Sequence, residues 1–238
     1  MDPMQKYPIL RTLLSGLRRS QQKTIALMVA ALLEAAQANS MIIASYVAQW
    51  LGTQVASAWV RFYRMLKNPR IDEQAITTKM LQVFVGVGNR LLIAIDWTEW
   101  HPPLRMLLAS VVVGRRAIPI SAATFHKQDM PRSQNCRENT FLRVLVAQLN
   151  QLGQRAVFLC DRGFRRVSWV QLLLGLEQDF VVRLMADVTV HHKGRQRLLR
   201  NWHLRRGQAV DLGFVPLRSD GKVVARMVGV WAPKTKEP

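Results

Sequence analysis

One short stretch limits what this chain can fold into more than any other, because an apolar run ends there abruptly in a carboxylate. Residues Ala156–Cys160 are all apolar or small, and Asp161, Arg162 and Gly163 follow them directly. A continuous apolar run that ends at a turn signal is typical of a strand buried on both faces of a sheet. The run therefore predicts a buried strand with Asp161 at its carboxyl end, where open α/β sheets bind their ligands.

A second stretch of the same form, residues 91–96, ends in Asp96. If the two strands are neighbours, Asp96 and Asp161 converge, and two nearby carboxylates repel each other unless a cation shares the site. Hard oxygen ligands suit Mg²⁺ or Mn²⁺, and a pair of such ions can hold the reacting oxygens of a phosphoryl displacement. The pair therefore predicts a metal site. In the alternative interpretation, Asp161 only closes the turn at Gly163, and Asp96 is a solvated residue at the end of its strand.

The segments around these two strands predict a mixed α/β fold. Strands are predicted at 91–96, 105–113, 117–122, 156–160 and 180–185, and helices at 135–152 and 167–178. A hairpin beside the first strand, followed by right-handed crossovers, makes a mixed sheet with helices on its faces. In this order the first and fourth strands can be parallel neighbours, with their acidic ends at one edge.

Two local signals sharpen this prediction. Pro119 lies in the third strand and favours an edge position or a bulge, because proline cannot donate to a ladder. Asn135 with Glu138 three residues later resembles a capping box at the start of the first of these helices. The apolar positions of that helix then form one stripe at helical period.

The charge of the chain indicates a polyanionic partner. Lysine and arginine number 34 against 15 acidic residues, which gives a formal net charge of +19. The excess is spread over the length, with +5 in residues 1–75, +6 in 76–182 and +8 in 183–238. A surface that neutralises phosphates releases counterions, so DNA or RNA is the natural partner.

Residues 1–75 predict an all-helical domain with a helix-turn-helix at 44–67, in which two helical patterns meet at Gly52. The second helix of the pair carries three basic residues that are candidate DNA contacts: Arg61, Arg64 and Lys67. An ordinary helical bundle with a solvated basic face is the equal alternative. The basic residues after the second aspartate are also candidate phosphate contacts, or solvated helix-start residues: Arg162, Arg165 and Arg166.

The carboxyl-terminal part of the chain is predicted to be rich in β-strands. Apolar and polar residues alternate in residues 187–238 in a pattern that is typical of antiparallel strands, without an intervening helix.

The longest apolar stretch, residues 24–33, is too short to span a bilayer, and the first residues show no signal-peptide pattern. The two cysteines, Cys136 and Cys160, have no metal-ligand spacing. We therefore expect a soluble cytoplasmic protein without a membrane partner.

Asp96-Trp97-Thr98 and Asp161-Arg162-Gly163-Phe164 resemble motifs of the DDE transposases of bacterial insertion sequences, in the IS-four-like group. The resemblance covers essentially the whole chain, and the Asp-Arg-Gly-Phe motif is the more specific of the two. It implies a ribonuclease H-like sheet flanked by helices over residues 76–186. It also implies an all-α DNA-binding domain before this sheet and a β-rich insertion that begins after it.

The resemblance implies roles for the two aspartates as well. Asp96 and Asp161 would be catalytic residues that bind Mg²⁺ (or Mn²⁺) for hydrolytic nicking and strand transfer at transposon ends. DNA would be the partner, and a homodimer on the DNA is one arrangement that the family pattern leaves open.

The third carboxylate of the family pattern is missing. In the family it is a glutamate beyond the insertion, on a helix with a Tyr-x-x-Arg-x-x-x-Glu pattern. Tyrosine occurs here only at positions 7, 46 and 63, and neither Glu177 nor Glu237 matches the pattern. We therefore expect a chain truncated inside or just after the insertion and inactive by itself, which leaves open whether it is an enzyme.

Two other hypotheses remain. The chain can be a DNA-binding remnant or regulator without catalysis, which uses residues 1–75 and its basic surface. It can also be a helix-turn-helix regulator with an unrelated α/β domain. The position of the aspartates separates this last hypothesis from the others, because an unrelated domain does not require Asp96 and Asp161 to meet.

Overall fold

The computed structural model describes residues 2–85, 90–99, 101–130, 134–184, 188–192, 195–201, 205, 207–217 and 221–230. The chain divides into two compact units, Met1–Val85 and Gly86–Pro238. The first unit extends ten residues beyond the boundary predicted at residue 75. It therefore includes the helix Glu73–Phe84, which crosses the predicted boundary.

The described part of the first unit is helical, as the sequence predicts. Its helices are α1 (Pro3–Lys6), α2 (Ile9–Leu13), α3 (Arg19–Ala35), α4 (Ser40–Leu51), α5 (Val55–Leu66) and α6 (Glu73–Phe84). Three of them begin at side-chain caps that satisfy free backbone N–H groups, and at α1 Oδ1 of Asp2 accepts from the amide of Met4 at 3.0 Å. Oδ1 of Asn39 accepts from the amides of Met41 and Ile42 at 3.0 and 3.3 Å, and Oδ1 of Asp72 accepts from the amide of Ala75 at 2.9 Å.

Helices α3, α4 and α5 share one apolar core. The buried members of that core are Leu27, Met28, Ala31, Ile43, Ala44, Val47, Ala48 and Ala58. Ala48 and Ala58 are small enough for α4 and α5 to approach closely. Gly52 ends α4 with a φ of 63°, a left-handed conformation that favours glycine. The turn between α4 and α5 is therefore as short as a helix-turn-helix requires.

Within the described ranges, no single helix is long and apolar enough to cross a membrane. One pair, α3 and α4, passes the length and composition criteria together, with a bend of 111° between its helices.

The second unit is mixed α/β, as predicted, and its main sheet has five strands. The strands are β1 (Leu91–Glu99), β2 (Leu104–Val113), β3 (Arg116–His126), β4 (Ala156–Cys160) and β5 (Asp179–Val182), with α7 (Gln134–Gln151) and α8 (Val167–Gly175) between the later ones. Their order across the sheet is β3-β2-β1-β4-β5. β1 pairs antiparallel with β2 and parallel with β4, so the predicted neighbours do lie side by side.

Two antiparallel hairpins follow this sheet and agree with the predicted β-rich segment. The first joins β6 (Thr189–His192) to β7 (Arg195–Leu198), and the second joins β8 (Ala209–Pro216) to β9 (Val224–Val230). Val190, Val215 and Met227 form a buried cluster between them. The last eight residues, 231–238, lie outside the described residues.

Pro119 satisfies both predictions made for it. β3 is an edge strand of the sheet, and the β2–β3 register shifts between Ala109 and Ser110, where Ser110 faces Pro119. An edge strand and a bulge are the two places where the missing N–H of proline costs no ladder bond.

Candidate functional site

The register of β1 against β4 brings the two aspartates to the same level of the sheet. Ile95 pairs with Cys160 in the parallel ladder, and each is followed by an aspartate. Neighbouring strands lie about 4.8 Å apart. The backbones at Asp96 and Asp161 are therefore adjacent, at the carboxyl end of β4 and at the level where β1 stops pairing with it.

The alternation of side chains places both carboxylates on the same face. On β1, Ile93 and Ile95 are buried, and on β4 their ladder partners Phe158 and Cys160 are buried as well. Because side chains alternate along a strand, Asp96 and Asp161 point away from that buried face. Both are exposed, so the two carboxylates share an open face at one edge of the sheet.

Each aspartate is held by one short backbone contact. Oδ1 of Asp96 accepts from the amide of Trp97 at 2.8 Å, and Oδ1 of Asp161 accepts from the amide of Gly163 at 2.8 Å. The latter bond is the turn-closing role that the sequence offered as an alternative for Asp161. Among the described residues, Oδ2 of either aspartate has no hydrogen-bond or ion-pair partner and remains available to a ligand.

The donor set fits a hard divalent cation. Mg²⁺ is commonly held by one or two carboxylates that are completed by waters and substrate phosphates, and the register of β1 against β4 places two carboxylates at adjacent positions. The described ranges contain no group of three or more His, Cys, Asp or Glu side chains that could hold a metal ion.

A buried glutamate lies on the other side of this sheet edge, and sequence reasoning assigned it a wrong role. Glu138 is 1% exposed. Its Oε1 accepts from Nε1 of Trp97 at 2.7 Å and from Nε2 of Gln134 at 2.9 Å, and its Oε2 pairs with the guanidinium of Arg166. The predicted capping box is incorrect, since α7 begins at Gln134 and Asn135 lies inside the helix.

The sequence contains a signal that Glu138 is a buried carboxylate. Glu138 lies four and seven residues before Leu142 and Leu145, which are 0% and 1% exposed. It therefore belongs to the apolar stripe of α7, where a carboxylate must find partners because an unpaired buried charge is very unfavourable.

The three arginines after Asp161 have different surroundings. Arg162 and Arg165 are exposed, and Nη1 of Arg165 donates to the carbonyl oxygen of Arg162 at 3.3 Å. The Arg166 side chain is only 19% exposed, and its Nη2 donates to Oδ1 of Asn139 at 2.8 Å. Arg162 and Arg165 are open to a phosphate, whereas the guanidinium of Arg166 is committed to partners on α7.

The cysteine beside Asp161 is a neutral core residue, as the sequence predicts. Burial, together with the nearby charges of Asp161 and Glu138, raises the pKa of the Cys160 thiol to about 12. The thiol therefore stays protonated at neutral pH.

In the first unit, the candidate DNA contacts lie on the exposed side of α5. Arg61, Arg64 and Lys67 are all exposed. Arg61 and Arg64 line a cavity of about 410 Å³ together with polar side chains of α3 and α5 and the apolar Val60 and Met65. The polar lining residues are Ser20, Gln21, Thr24, Ser57 and Asn68. Among the described residues no carboxylate lines this cavity or pairs with either arginine, so a phosphate would meet unopposed positive charge there.

Aromatic side chains form a second stripe on α5. The rings of Trp59 and Tyr63 stack with centroids 5.4 Å apart, and Nζ of Lys67 lies 4.4 Å from the Tyr63 ring centroid. These three residues follow one another at four-residue spacing and form one stripe of the helix. The stripe holds Lys67 against the Tyr63 ring.

Comparison with known proteins adds no family. No family model matches the chain, and no curated protein matches it.

Proposed function

We propose that the second unit is the catalytic module of a DDE-type transposase, which nicks and joins DNA at transposon ends with Mg²⁺ or Mn²⁺. One observation carries this proposal: Asp96 and Asp161 occupy adjacent positions on the parallel neighbours β1 and β4, both exposed on one face beside the carboxyl end of β4. The antiparallel hairpin beside β1 and the parallel connections to β4 and β5 support a ribonuclease H-like arrangement of the sheet.

The chemistry follows from the residues at this edge. A bound divalent cation neutralises charge that develops on the oxygens of a phosphate during displacement. Asp96 and Asp161 would hold that cation through their open Oδ2 atoms. Arg162 and Arg165 lie within four residues of Asp161 and would contact neighbouring phosphates of the DNA backbone. The chain has no Tyr-x-x-Arg-x-x-x-Glu pattern. Under this proposal it has two of the three metal-binding carboxylates of the family pattern, and we expect it not to cleave DNA strands by itself.

The first unit supports the proposed DNA substrate. Helices α4 and α5 meet at Gly52 in a short turn, and α5 presents Arg61, Arg64 and Lys67 on its exposed side. In a helix-turn-helix the second helix enters the major groove and basic residues around it reach the phosphates. This unit would bring the DNA to the protein, and the second unit would act on it.

Binding of Mn²⁺ tests the metal site directly, because Mn²⁺ in solution gives an electron paramagnetic resonance signal that is lost on binding. We expect the native chain to bind Mn²⁺ and the D96N/D161N variant to bind it at least tenfold more weakly. D179N is the matched control, since Asp179 is an exposed carboxylate at the start of β5, near the amino ends of the parallel strands. Equal Mn²⁺ binding by native and D96N/D161N chains would overturn the proposal.

A second candidate function is DNA binding without catalysis. The observation that favours it is that Arg61 and Arg64 line a cavity of the first unit that has no carboxylate among its described lining residues. Under this alternative the chain binds duplex DNA equally well with and without Mn²⁺, and D96N/D161N leaves that binding unchanged. A gel-shift assay of both proteins, with Mn²⁺ and with a chelator, separates the two functions.

A further inference from the structure

The buried carboxylate of Glu138 connects the two chain segments that carry the aspartates. Trp97, which donates to it from β1, directly follows Asp96. Arg166, which pairs with it from the start of α8, lies five residues after Asp161. One side chain of α7 therefore binds both segments on the side of the sheet opposite the two exposed carboxylates.

The partners of Glu138 are themselves fixed. The Trp97 ring packs against Phe125 of β3, with centroids 5.8 Å apart. The Arg166 guanidinium lies 5.1 Å from the Trp169 ring centroid, and Trp169 is fully buried. Neither side chain can turn to another partner without disturbing the packing of the sheet or of α8.

Stability alone is a weak reason for such a network. A buried ion pair loses its hydration, and well-packed apolar residues of similar volume are often as stable or more stable. Both oxygens of the Glu138 carboxylate are paired, although Nε of Arg166 is buried without a partner among the described residues. Paired polar groups at the centre of a buried network favour one arrangement of the segments they join. A pair of metal-binding carboxylates on two separate strands needs such a fixed arrangement.

We propose that Glu138 is a positioning residue, which holds the end of β1 and the turn after β4 so that Asp96 and Asp161 face one cation. This inference rests on the proposed function and assigns Glu138 no contact with metal or DNA. It predicts that changes at Glu138 alter the relative position of the two aspartates even in a variant that folds normally.

The test uses the full chain with the double variant E138M/R166M, which replaces the buried ion pair by two apolar side chains. Because both charges are removed together, we expect its melting temperature to stay within a few degrees of the native value. We expect its Mn²⁺ binding to weaken about tenfold, as outer-shell changes commonly do. E138Q keeps an acceptor for Trp97 and is expected to lose less affinity than E138A. E177Q, a change of the same kind at an exposed ion pair, is expected to have no effect.

A second measurement reports position without a metal. In a C136S/C160A background, D96C and D161C are expected to form a disulfide under mild oxidation, because adjacent strand ends bring Cα atoms into the 4.4–6.8 Å range that a disulfide needs (about 5 Å here). E138M/R166M is expected to slow this cross-link several-fold, while E177Q leaves its rate unchanged.

The outcomes separate the two proposals. If a folded E138M/R166M chain binds Mn²⁺ and cross-links like the native chain, Glu138 is only a structural residue and the inference is wrong. If the native chain shows no aspartate-dependent Mn²⁺ binding but E138M/R166M slows the cross-link, the proposed metal function fails and the positioning role stands.

Discussion

The two candidate surfaces of this chain are built in opposite ways. At the carboxyl edge of the sheet, the exposed Asp96 and Asp161 lie across the sheet from a buried polar network centred on Glu138. On α5, the exposed Arg61 and Arg64 lie over a core of apolar side chains. A metal site needs its ligands at fixed positions, whereas contacts with DNA phosphates depend mainly on the number of charges. We therefore expect substitutions of the α5 arginines to be tolerated by the fold and substitutions in the network around Glu138 to destabilise it.

The largest expected effect is on stability at the sheet edge. E138A removes one partner of a buried ion pair and leaves the Arg166 guanidinium without its charge partner. Loss of one such partner commonly costs about 3–5 kcal/mol, and we expect the lower end because the Arg166 side chain keeps 19% exposure. Amide hydrogen exchange of peptides from β1, β4 and α7 measures this loss within the second unit.

R61A is the matched change on the other surface. Arg61 is exposed and has no ion-pair partner among the described residues, so its removal is expected to change the free energy of unfolding by no more than about 0.5 kcal/mol. Equal losses for E138A and R61A would contradict the difference drawn between the two surfaces.

The order of helices and strands could be predicted from the sequence because apolar residues recur with a different period in a helix than in a strand. Strand β4 was predicted with its exact bounds, and α7 to within one residue at each end. Both segments are ended by strong local signals, an aspartate before a turn in one case and Gly153 in the other. The parallel pairing of β1 with β4, which places Asp96 and Asp161 at adjacent positions, followed from the same element order and the rules for parallel strands.

The ends of other elements could not be predicted in this way. β1 continues to Glu99, three residues past the predicted end, because Trp97, Thr98 and Glu99 pair with β2 across the sheet. β3 continues to His126 for the same reason, since its last residues pair with the start of β2. Cross-strand pairing, rather than local propensity, decides where these strands stop.

The network around Glu138 depends on contacts that are distant in sequence. Its partners Trp97 and Arg166 lie 41 and 28 residues away, and a local pattern such as a capping box cannot reveal such partners. A charged residue on the apolar stripe of a helix is the local trace that a network of this kind leaves.

An intermediate effect is expected in DNA binding. R61A/R64A removes two candidate phosphate contacts, and each contact contributes about 0.9 to the slope of log affinity against log salt concentration. We therefore expect the slope for duplex DNA to fall by about 1.8, and the affinity at 0.15 M salt to fall at least tenfold. Fluorescence anisotropy with a labelled duplex at several salt concentrations measures both.

R115A/R116A is the charge-matched control for this experiment, because both residues are exposed at the turn between β2 and β3. We expect a much smaller change from this variant. An equal change of slope in the two variants would show that the net charge of +19, and not the α5 surface, determines binding.

A further effect on stability is expected at the turn that orients α5. Gly52 has a φ of +63°, and a Cβ added there would meet no atom within 4 Å. The cost of G52A is therefore conformational strain alone, about 1–2 kcal/mol for a left-handed residue. Hydrogen exchange of α4 and α5 measures this loss, and weaker DNA binding is expected to accompany it.

Gly16 provides the control for strain within the same unit. Its φ lies outside the left-handed region, and an added Cβ would lie 3.6 Å from Cβ of Ala75, an ordinary contact distance. G16A is therefore expected to be neutral or slightly stabilising, since alanine has less conformational freedom to lose on folding. If G16A and G52A destabilise the unit equally, the turn at Gly52 is not the constraint that sets the angle between α4 and α5. The exposed cations of α5 would then be positioned by the α3–α4–α5 core alone.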